Sequence, residues 1–414
     1  MFDSEPIVVG LEIGTSKVCA VVGELLGEGA GVNIVAVGQS PSQGVRKGEI
    51  RDVSDVEECV RRAIAEAEEM ANVEIRSVYL GVTGGHIRGF NNRGVHPIPS
   101  ADREITSEDV QDVIKNAKAI NLPHENTVLH AIRQHFLVDG QDGVTDPVGM
   151  VGSCLEVDMH VVHGNLNRIQ NPIRLVRGLQ LEVEEVVFTG LAASLALLTN
   201  EQKELGALVI DLGGGTTDYA VYADGVIKHT GVLAVGGDHV TQDLALGLTV
   251  PISLAERLKL EHGGAFVDEE VKGRILTLPS EHGFTGTAVN LENLRRIMHL
   301  RLEETLDLVA QDVDNAGLLP HLRAGVVLCG GGARVPGLTR LAEQVFKLPV
   351  TVGHTTAISG LKSTLDQPEF AAPLGLVKFA ALKARSRTER RSGWHRVKRF
   401  FSEVFSFSSP GETS

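Results

Sequence analysis

Ile7-Val8-Val9-Gly10-Leu11-Glu12-Ile13-Gly14-Thr15-Ser16-Lys17, followed by the apolar run Val18–Val22, is the stretch that decides the fold. It reads as an apolar run ending in an acidic residue, a tight turn of small residues and a second apolar run, the pattern of a β-hairpin. Much further along, the chain repeats it: Leu208-Val209-Ile210-Asp211-Leu212-Gly213-Gly214-Gly215-Thr216-Thr217-Asp218, then Tyr219–Tyr222. Glycine lets a backbone approach an anion closely, and successive amides in such a turn form a concave anion site. Two such turns facing each other would clasp a polyphosphate from both sides. The acidic residues at their mouths, Glu12 and Asp211, would hold a cation or its waters.

A third glycine run, Gly325-Val326-Val327-Leu328-Cys329-Gly330-Gly331-Gly332-Ala333-Arg334-Val335-Pro336-Gly337-Leu338, reads as a buried strand, a glycine turn and a helix start. It lets a flat ring or a ribose lie against bare backbone. One glycine loop is weak evidence, but three in this order, each after an apolar strand, form a specific pattern.

In that order the chain resembles the actin-like ATPase superfamily: first phosphate hairpin, second phosphate hairpin, adenosine loop. Within it, the chain resembles the FtsA family of bacterial cell-division proteins over nearly all of its length. The likeness is carried by Gly10–Thr15, Ser77-Val78-Tyr79-Leu80, Asn171-Pro172 onward, Asp211–Thr216 and the C-terminal tail. The resemblance implies an α/β actin-like duplicated ATPase fold, with two RNase H-like lobes around a nucleotide cleft, binding ATP and Mg²⁺. Gly14, Thr15, Ser16 and Lys17 would hold phosphate from one side, and Gly213, Gly214, Gly215, Thr216 and Thr217 from the other. Asp211 would position Mg²⁺ through water, and Asp211 and Glu12 are the candidate catalytic carboxylates. Gly236-Gly237-Asp238 is similar to the family's ribose-side turn, with Gly237 as the binding residue. Glu256 and Lys259 resemble its nucleoside-binding pair, although an exposed ion pair three residues apart reads equally well. Gly331, Gly332 and Arg334 would flank the base.

Two departures matter. Position 12 is Glu where the wider superfamily usually has Asp. Many actin-like ATPases also carry Gln or Glu just before a small-residue helix upstream of the second hairpin, where this chain reads Phe188-Thr189-Gly190-Leu191-Ala192-Ala193-Ser194. A water-positioning group acts through geometry and proton acceptance, so its absence points to nucleotide used as a conformational ligand and turned over slowly.

The 414 residues suffice for two domains with sizeable cores, and 43% hydrophobic with 22% charged content is ordinary for a globular protein. Cys19, Cys59, Cys154 and Cys329 are scattered, with no Cys-x-x-Cys pair, as expected of reduced thiols in a reducing compartment. Neither a signal peptide nor a spanning helix is expected. The histidines His124, His130, His135, His160 and His163 read as ordinary core and surface residues, since His160 and His163 fall on opposite faces of a strand. A net charge of −14 argues against nucleic acid as a partner. The charge is uneven: from Lys383 onward there are eight basic and three acidic residues, an acidic body with a basic tail.

The domain organisation reads as follows. Residues 1–83 and 165–200 form the first lobe, with a helix through Val56, Val60, Ala63, Ile64 and Ala67 capped by Asp52 or Ser54. Residues 84–164 read as a self-contained inserted α+β subdomain, with a helix capped at Thr106 and strands over 127–138 and 155–162. Residues 201–382 form the second lobe, including a helical subdomain over about 223–320. There Asn290 caps a helix with Leu291, Leu294, Ile297, Met298, Leu302, Thr305, Leu308 and Val309 on one side and Arg295, Arg296, Arg301, Glu304 and Asp307 on the other. By resemblance Arg301 and Glu304 are the partner-docking candidates.

Residues 383–393 read as a basic, helix-poor, disordered linker. Residues 394–407 then read as an amphipathic helix, with Trp394, Val397, Phe401, Val404 and Phe405 on one face, Phe400 at its edge, and Lys398 and Arg399 on the charged side. Five of the seventeen aromatics of the chain fall in this end. A basic, aromatic terminal helix suits an anionic membrane surface, and the family resemblance implies the same. The whole reads as an ATP-binding, self-associating scaffold on the inner face of the cytoplasmic membrane at the division site. It would tether FtsZ and help assemble other division proteins. The rivals are a PilM-like pilus-assembly ATPase, a family generally lacking the terminal helix, and a small-molecule kinase of the same fold, which would need a catalytic carboxylate aimed at a substrate hydroxyl.

Overall fold

The computed structural model describes residues 7–26, 31–99, 102–269, 271–277, 288–355, 358–360 and 365–391. Both apolar–turn–apolar stretches form antiparallel hairpins, Ile7–Ile13 with Lys17–Leu26 and Ala207–Leu212 with Thr217–Ala223. Each seeds a sheet of the same plan. The first hairpin continues antiparallel to Gly31–Pro41 on one side and parallel to Ser77–Val82 and Glu182–Phe188 on the other. The second continues antiparallel to Val226–Leu233 and parallel to Gly325–Cys329 and Val350–Val352. One topology used twice is the duplication that the paired motifs imply.

The hairpin strands are buried on both faces, so they read as continuous apolar runs and not as alternation. Helix Val53–Ala71 covers one face of the first sheet. Its N-terminus is capped by Asp52, whose carboxylate accepts from the Asp55 amide at 3.1 Å. Gly38 allows close approach, because a Cβ there would lie 1.9 Å from the Ala63 carbonyl oxygen. On the opposite face lie helix Thr189–Leu197 and the terminal helix Ala371–Arg391. All nine residues of Thr189–Leu197 are buried, which explains why it is apolar all round.

The insertion forms its own antiparallel sheet, in the order Arg88–Pro97, Cys154–Asn165, Asn126–Val138 and Gln141–Val144. Helix Ser107–Lys118 packs on it and starts in a capping box: Asp109 N donates to Thr106 Oγ1 at 3.3 Å and Thr106 N donates to the Asp109 carboxylate at 2.8 Å. Strand Arg88–Pro97 escapes the sequence reading because Arg, Asn, His and Gly dilute its alternation.

Several assignments change. The insertion folds around a hydrophobic core of its own and is in addition bonded to strand Val226–Leu233 of the second lobe. Gln134 Nε2 donates to Ile227 O at 2.5 Å, Asn91 Nδ2 to Lys228 O at 2.9 Å, and His160 Nε2 meets Thr230 Oγ1 at 2.9 Å. That strand belongs to the second sheet, so the helical subdomain begins at helix Gly237–Leu248 and not near residue 223. Within helix Leu291–Asn315, capped by Asn290, Leu306 is buried while Leu308 is exposed. Arg295 leaves the solvent face to bind Asp268 at 2.5 Å and the carbonyls of His262 and Phe266.

The C-terminal part of the span 201–382 does not stay with the second lobe. Ile358–Ser359 pairs with Gly31–Pro41, and the terminal helix packs on the first sheet. Nor do residues 383–391 form a disordered linker, for the helix runs through Arg391. Its core residues Leu374, Leu376, Val377, Phe379 and Ala380 supply the nucleus. The following Ala, Leu, Lys, Arg and Glu propagate the helix at little cost. Lys383 adds an ion pair to Glu185 at 3.4 Å. The stretch 394–407 lies outside the described residues. No helix among them is long and apolar enough to cross a membrane.

Candidate functional site

The two hairpin turns are closed by the same bond: Gly14 N donates to Lys17 O at 2.9 Å, and Gly213 N to Thr216 O at 2.9 Å. The turns face each other closely. A Cβ on Gly214 would lie 3.3 Å from Ser16 Cβ and 3.5 Å from Ser16 N; one on Gly215 would lie 2.4 Å from Thr15 Oγ1. Glycine is therefore required at 215 by proximity, not by backbone angle. The amides of Thr15, Ser16, Gly214 and Gly215 donate to no acceptor among the described residues, leaving two opposed pairs of donors at one place.

Other segments close around the turns. Gly48 N donates to Thr15 Oγ1 at 3.1 Å, with Lys47 beside it in the left-handed region at φ 54°. At the second turn, Gly237 N and Asp238 N, opening helix Gly237–Leu248, donate to Gly213 O at 3.0 Å and Gly214 O at 2.8 Å. Thr217 sits below, its hydroxyl on Val235 O at 2.9 Å. Lys259 faces this helix, and Glu256 reaches it from a side chain that is 43% exposed. Lys259 Nζ reaches Glu256 at 2.7 Å, Thr241 Oγ1 at 2.8 Å and Gly237 O at 3.2 Å, and its side chain is only 14% exposed.

The third loop packs on the second hairpin. Gly330 is in the left-handed region at φ 78°, and a Cβ there would lie 2.3 Å from Asp211 Oδ1. Gly331 faces open space, whereas a Cβ on Gly332 would lie 2.7 Å from Leu212 Cβ. Arg334 turns to Glu369, at 2.9 and 2.6 Å, and to Gln367 at 2.8 Å. Lys17 is likewise engaged outside the turn, with Nζ on Glu369 O at 2.6 Å.

Three carboxylates lie at the floor. Glu12 and Asp211 stand at the ends of the hairpin strands. Burial pushes Glu12 up to about 7, against the pull of Lys17, and Asp218 adds to the rise. Asp211 is held well above the usual carboxylate range by burial and by the neighbouring Glu12 and Asp218 charges. Glu12 Oε2 is buried without a hydrogen-bond partner among the described residues. Buried carboxylates with an orphaned oxygen are groups that a cation would suit. No group of three His, Cys, Asp or Glu among the described residues can hold a metal by itself, so a cation here needs oxygens from water or a ligand.

Asp218, which the sequence reading quoted but gave no role, is the third. It is fully enclosed, taking hydroxyl bonds from Thr83 at 2.6 Å and Thr189 at 2.5 Å. Burial raises it to about 6, against those hydroxyls and that of Thr216. Its signal in the sequence was an acidic residue inside an apolar strand. Away from the cleft, Arg301 binds Asp243 at 2.5 and 3.2 Å and pairs with Glu304.

Two lobes of one topology, each presenting a hairpin turn across a common cleft, define an actin-like protein. The solved PilM–PilN type IV pilus biogenesis complex matches with a TM-score of 0.62 at 15% identity, over 90% of this chain and 98% of that one. MreB5 of Spiroplasma citri bound to ADP matches at 0.56 and 14%, over 92% and 98%. At such identities the likeness shows the fold alone.

The chain belongs to the FtsA family of cell-division proteins. It is 38% identical over 380 residues to the cell division protein FtsA of Escherichia coli K12, covering 90% of each chain. It is 35% identical to that of Pseudomonas aeruginosa, over 92% of this chain and 90% of that one, and 37% to that of Borreliella burgdorferi, over 91% of each. The family model "Cell division protein FtsA" matches residues 208–375, and "SHS2 domain inserted in FTSA" matches 84–163, the inserted sheet.

Proposed function

We propose that this actin-like cell-division protein binds ATP with Mg²⁺ between the facing turns and acts as a membrane-attached scaffold. The observation that carries the reading is the meeting of two glycine turns, with four backbone N–H groups that have no acceptor among the described residues, next to buried carboxylates. Polyphosphate would take the amides of Thr15, Ser16, Gly214 and Gly215, and Mg²⁺ would neutralise Glu12 and Asp211 through its waters. The nucleoside would lie between the Glu256–Lys259 side and the Gly331–Gly332 loop. A neighbouring fold in the MreB group carries ADP in its solved structure, which supports a nucleotide here.

In the cell the protein would self-associate, tether FtsZ through the face that bears Arg301 and Glu304, and attach to the inner membrane surface through residues 394–407. Family membership supports this placement. The direct test is Gly214→Asp. Position 214 does not require a left-handed backbone, and a Cβ there meets Ser16 first, at 3.3 Å; the carboxylate would enter the gap beside Ser16 and repel phosphate, and a melting curve checks that the variant is folded. ATP binding measured by equilibrium dialysis should be lost. Wild-type affinity in Gly214→Asp would overturn the nucleotide reading.

A further inference from the structure

Lys17 opens the second strand of the first hairpin, beside the turn that would meet phosphate, yet its ammonium is held elsewhere. Nζ donates to the Glu369 carbonyl oxygen at 2.6 Å and lies 4.0 Å from the centroid of the Phe370 ring. The third glycine loop grips the same short segment from the other side. Gly330 N donates to Pro368 O at 2.8 Å, and Arg334 binds the Glu369 carboxylate and Gln367. This segment, Gln367–Phe370, leads straight into the terminal helix Ala371–Arg391. The helix crosses the first hairpin at Gly10, where a Cβ would lie 2.8 Å from Pro373 O and 2.7 Å from Leu376 Cβ. Beyond its end, the sequence continues into the basic, aromatic stretch from Trp394.

We propose that Lys17 is a two-position switch: without nucleotide it holds the Glu369 carbonyl and the Phe370 ring at the head of the terminal helix, and on nucleotide binding it transfers to phosphate and lets that helix head loosen. The inference rests on the reading of the cleft as an ATP site. A neutral carbonyl and a ring face are weak partners for an ammonium beside an anion site. A charge-assisted bond to phosphate is roughly twice as strong as a neutral one, and the flexible lysine stem allows the exchange. Arg334 and Gly330 keep their own bonds, so the change is confined to the turn that joins Glu369 to Ala372. Leu374, Leu376, Val377 and Phe379 remain buried and hold the helix body. Linkage then works in both directions: nucleotide loosens the helix head, and a loosened head binds nucleotide more tightly by the same factor.

The test is hydrogen–deuterium exchange on the full chain, free, with ATP and with a non-hydrolysable ATP analogue, alongside a separate measurement of ATP affinity. Nucleotide should protect the second hairpin, residues 208–222, while exchange rises in the peptide 366–376. Phe370→Met keeps the space but removes the ring; it should raise exchange in 366–376 without nucleotide and raise ATP affinity about two- to five-fold, the worth of a partly exposed cation–π contact. Phe370→Tyr, which keeps a ring face, should retain wild-type affinity. If Phe370 only fills the core, Phe370→Met will lower the melting temperature without any gain in affinity, and the switch is overturned. If ATP binds but exchange in 366–376 does not change, the switch fails and the ATP reading stands. If ATP does not bind to the wild type, both fall.

Discussion

At position 189 the chain carries a threonine whose hydroxyl is committed to Asp218 at 2.5 Å, at the head of the buried helix Thr189–Leu197. A carboxamide or carboxylate there would orient an attacking water; a hydroxyl already used on Asp218 does not. Asp218 is itself enclosed by the hydroxyls of Thr83 and Thr189, so its carboxylate is occupied by protein donors. ATP turnover by the wild-type chain should therefore fall well below the roughly 1–100 s⁻¹ of kinases. Steady-state phosphate release measures this directly, and tens of turnovers per second would refute it. None of these bonds was legible in the sequence, because Thr83 follows one strand, Asp218 lies in another and Thr189 opens a helix, and the three meet only in the fold.

Helix against helix, the terminal segment meets Thr189–Leu197 through Gly375, where a Cβ would lie 1.8 Å from the Ala192 carbonyl oxygen. A backbone atom cannot turn aside as a side chain does, so Gly375→Ala must push the two helices apart. The expected loss is roughly 1–3 kcal/mol of stability, typical of overpacking, seen as an earlier denaturation midpoint. Between the inserted sheet and the lobes, buried histidines act as neutral hydrogen-bonding groups. His130 Nε2 accepts from Phe188 N at 2.9 Å, and His160 spans Asn91 at 2.8 Å and Thr230 at 2.9 Å. Burial lowers both from the usual 6.5 to about 3. The unfolded chain takes up these protons below about pH 6.5 and the folded one does not. The stability they contribute is therefore complete above that pH and is lost progressively as the pH falls toward 3. By pH 5 the loss is about 2 kcal/mol per histidine. Calorimetry at pH 7.5 and pH 5 should show a smaller acid-induced fall for His160→Gln than for the wild type.

For the molecule as a whole, the proposed attachment would have to bring an acidic body to an anionic membrane. Each Lys or Arg near the surface contributes about 1 kcal/mol, and each partly inserted aromatic about 1–2 kcal/mol. Ordering a dozen or so residues opposes this at roughly 1–2 kcal/mol each before hydrogen bonds offset it. On the proposed reading one tail would bind weakly, and a polymer presenting many would bind far more tightly. Because the terminal helix runs to Arg391, it takes in residues 383–391 of the stretch whose composition reads as a disordered linker, and the tail pattern starts three residues further on at Trp394. Trp394→Glu should lose co-sedimentation with anionic vesicles, whereas Arg396→Lys should keep it. Equal pelleting of Trp394→Glu and wild type would show that the anchor lies elsewhere.

The sequence alone determined the parts that obey local rules. Strand–turn–strand patterns placed both hairpins, a strand followed by glycines placed the third loop, and Asp52 or Ser54, Thr106 and Asn290 marked three helix starts, which form with Asp52, Thr106 and Asn290 as their caps. Side-chain period, turn chemistry and capping act over a few residues, so each is readable where it occurs. Tertiary structure alone decided what depends on residues far apart in the chain. It returned the helix from Ala371 to the first sheet, gave Lys17 the Glu369 carbonyl as its partner, stitched the insertion to the second lobe through Asn91, Gln134 and His160, and raised the proton affinity of Glu12, Asp211 and Asp218 by enclosing them together. A glycine at 10 or 375 looks like any glycine in the sequence. Its necessity comes from the backbone that packs against it, and only the folded chain supplies that neighbour.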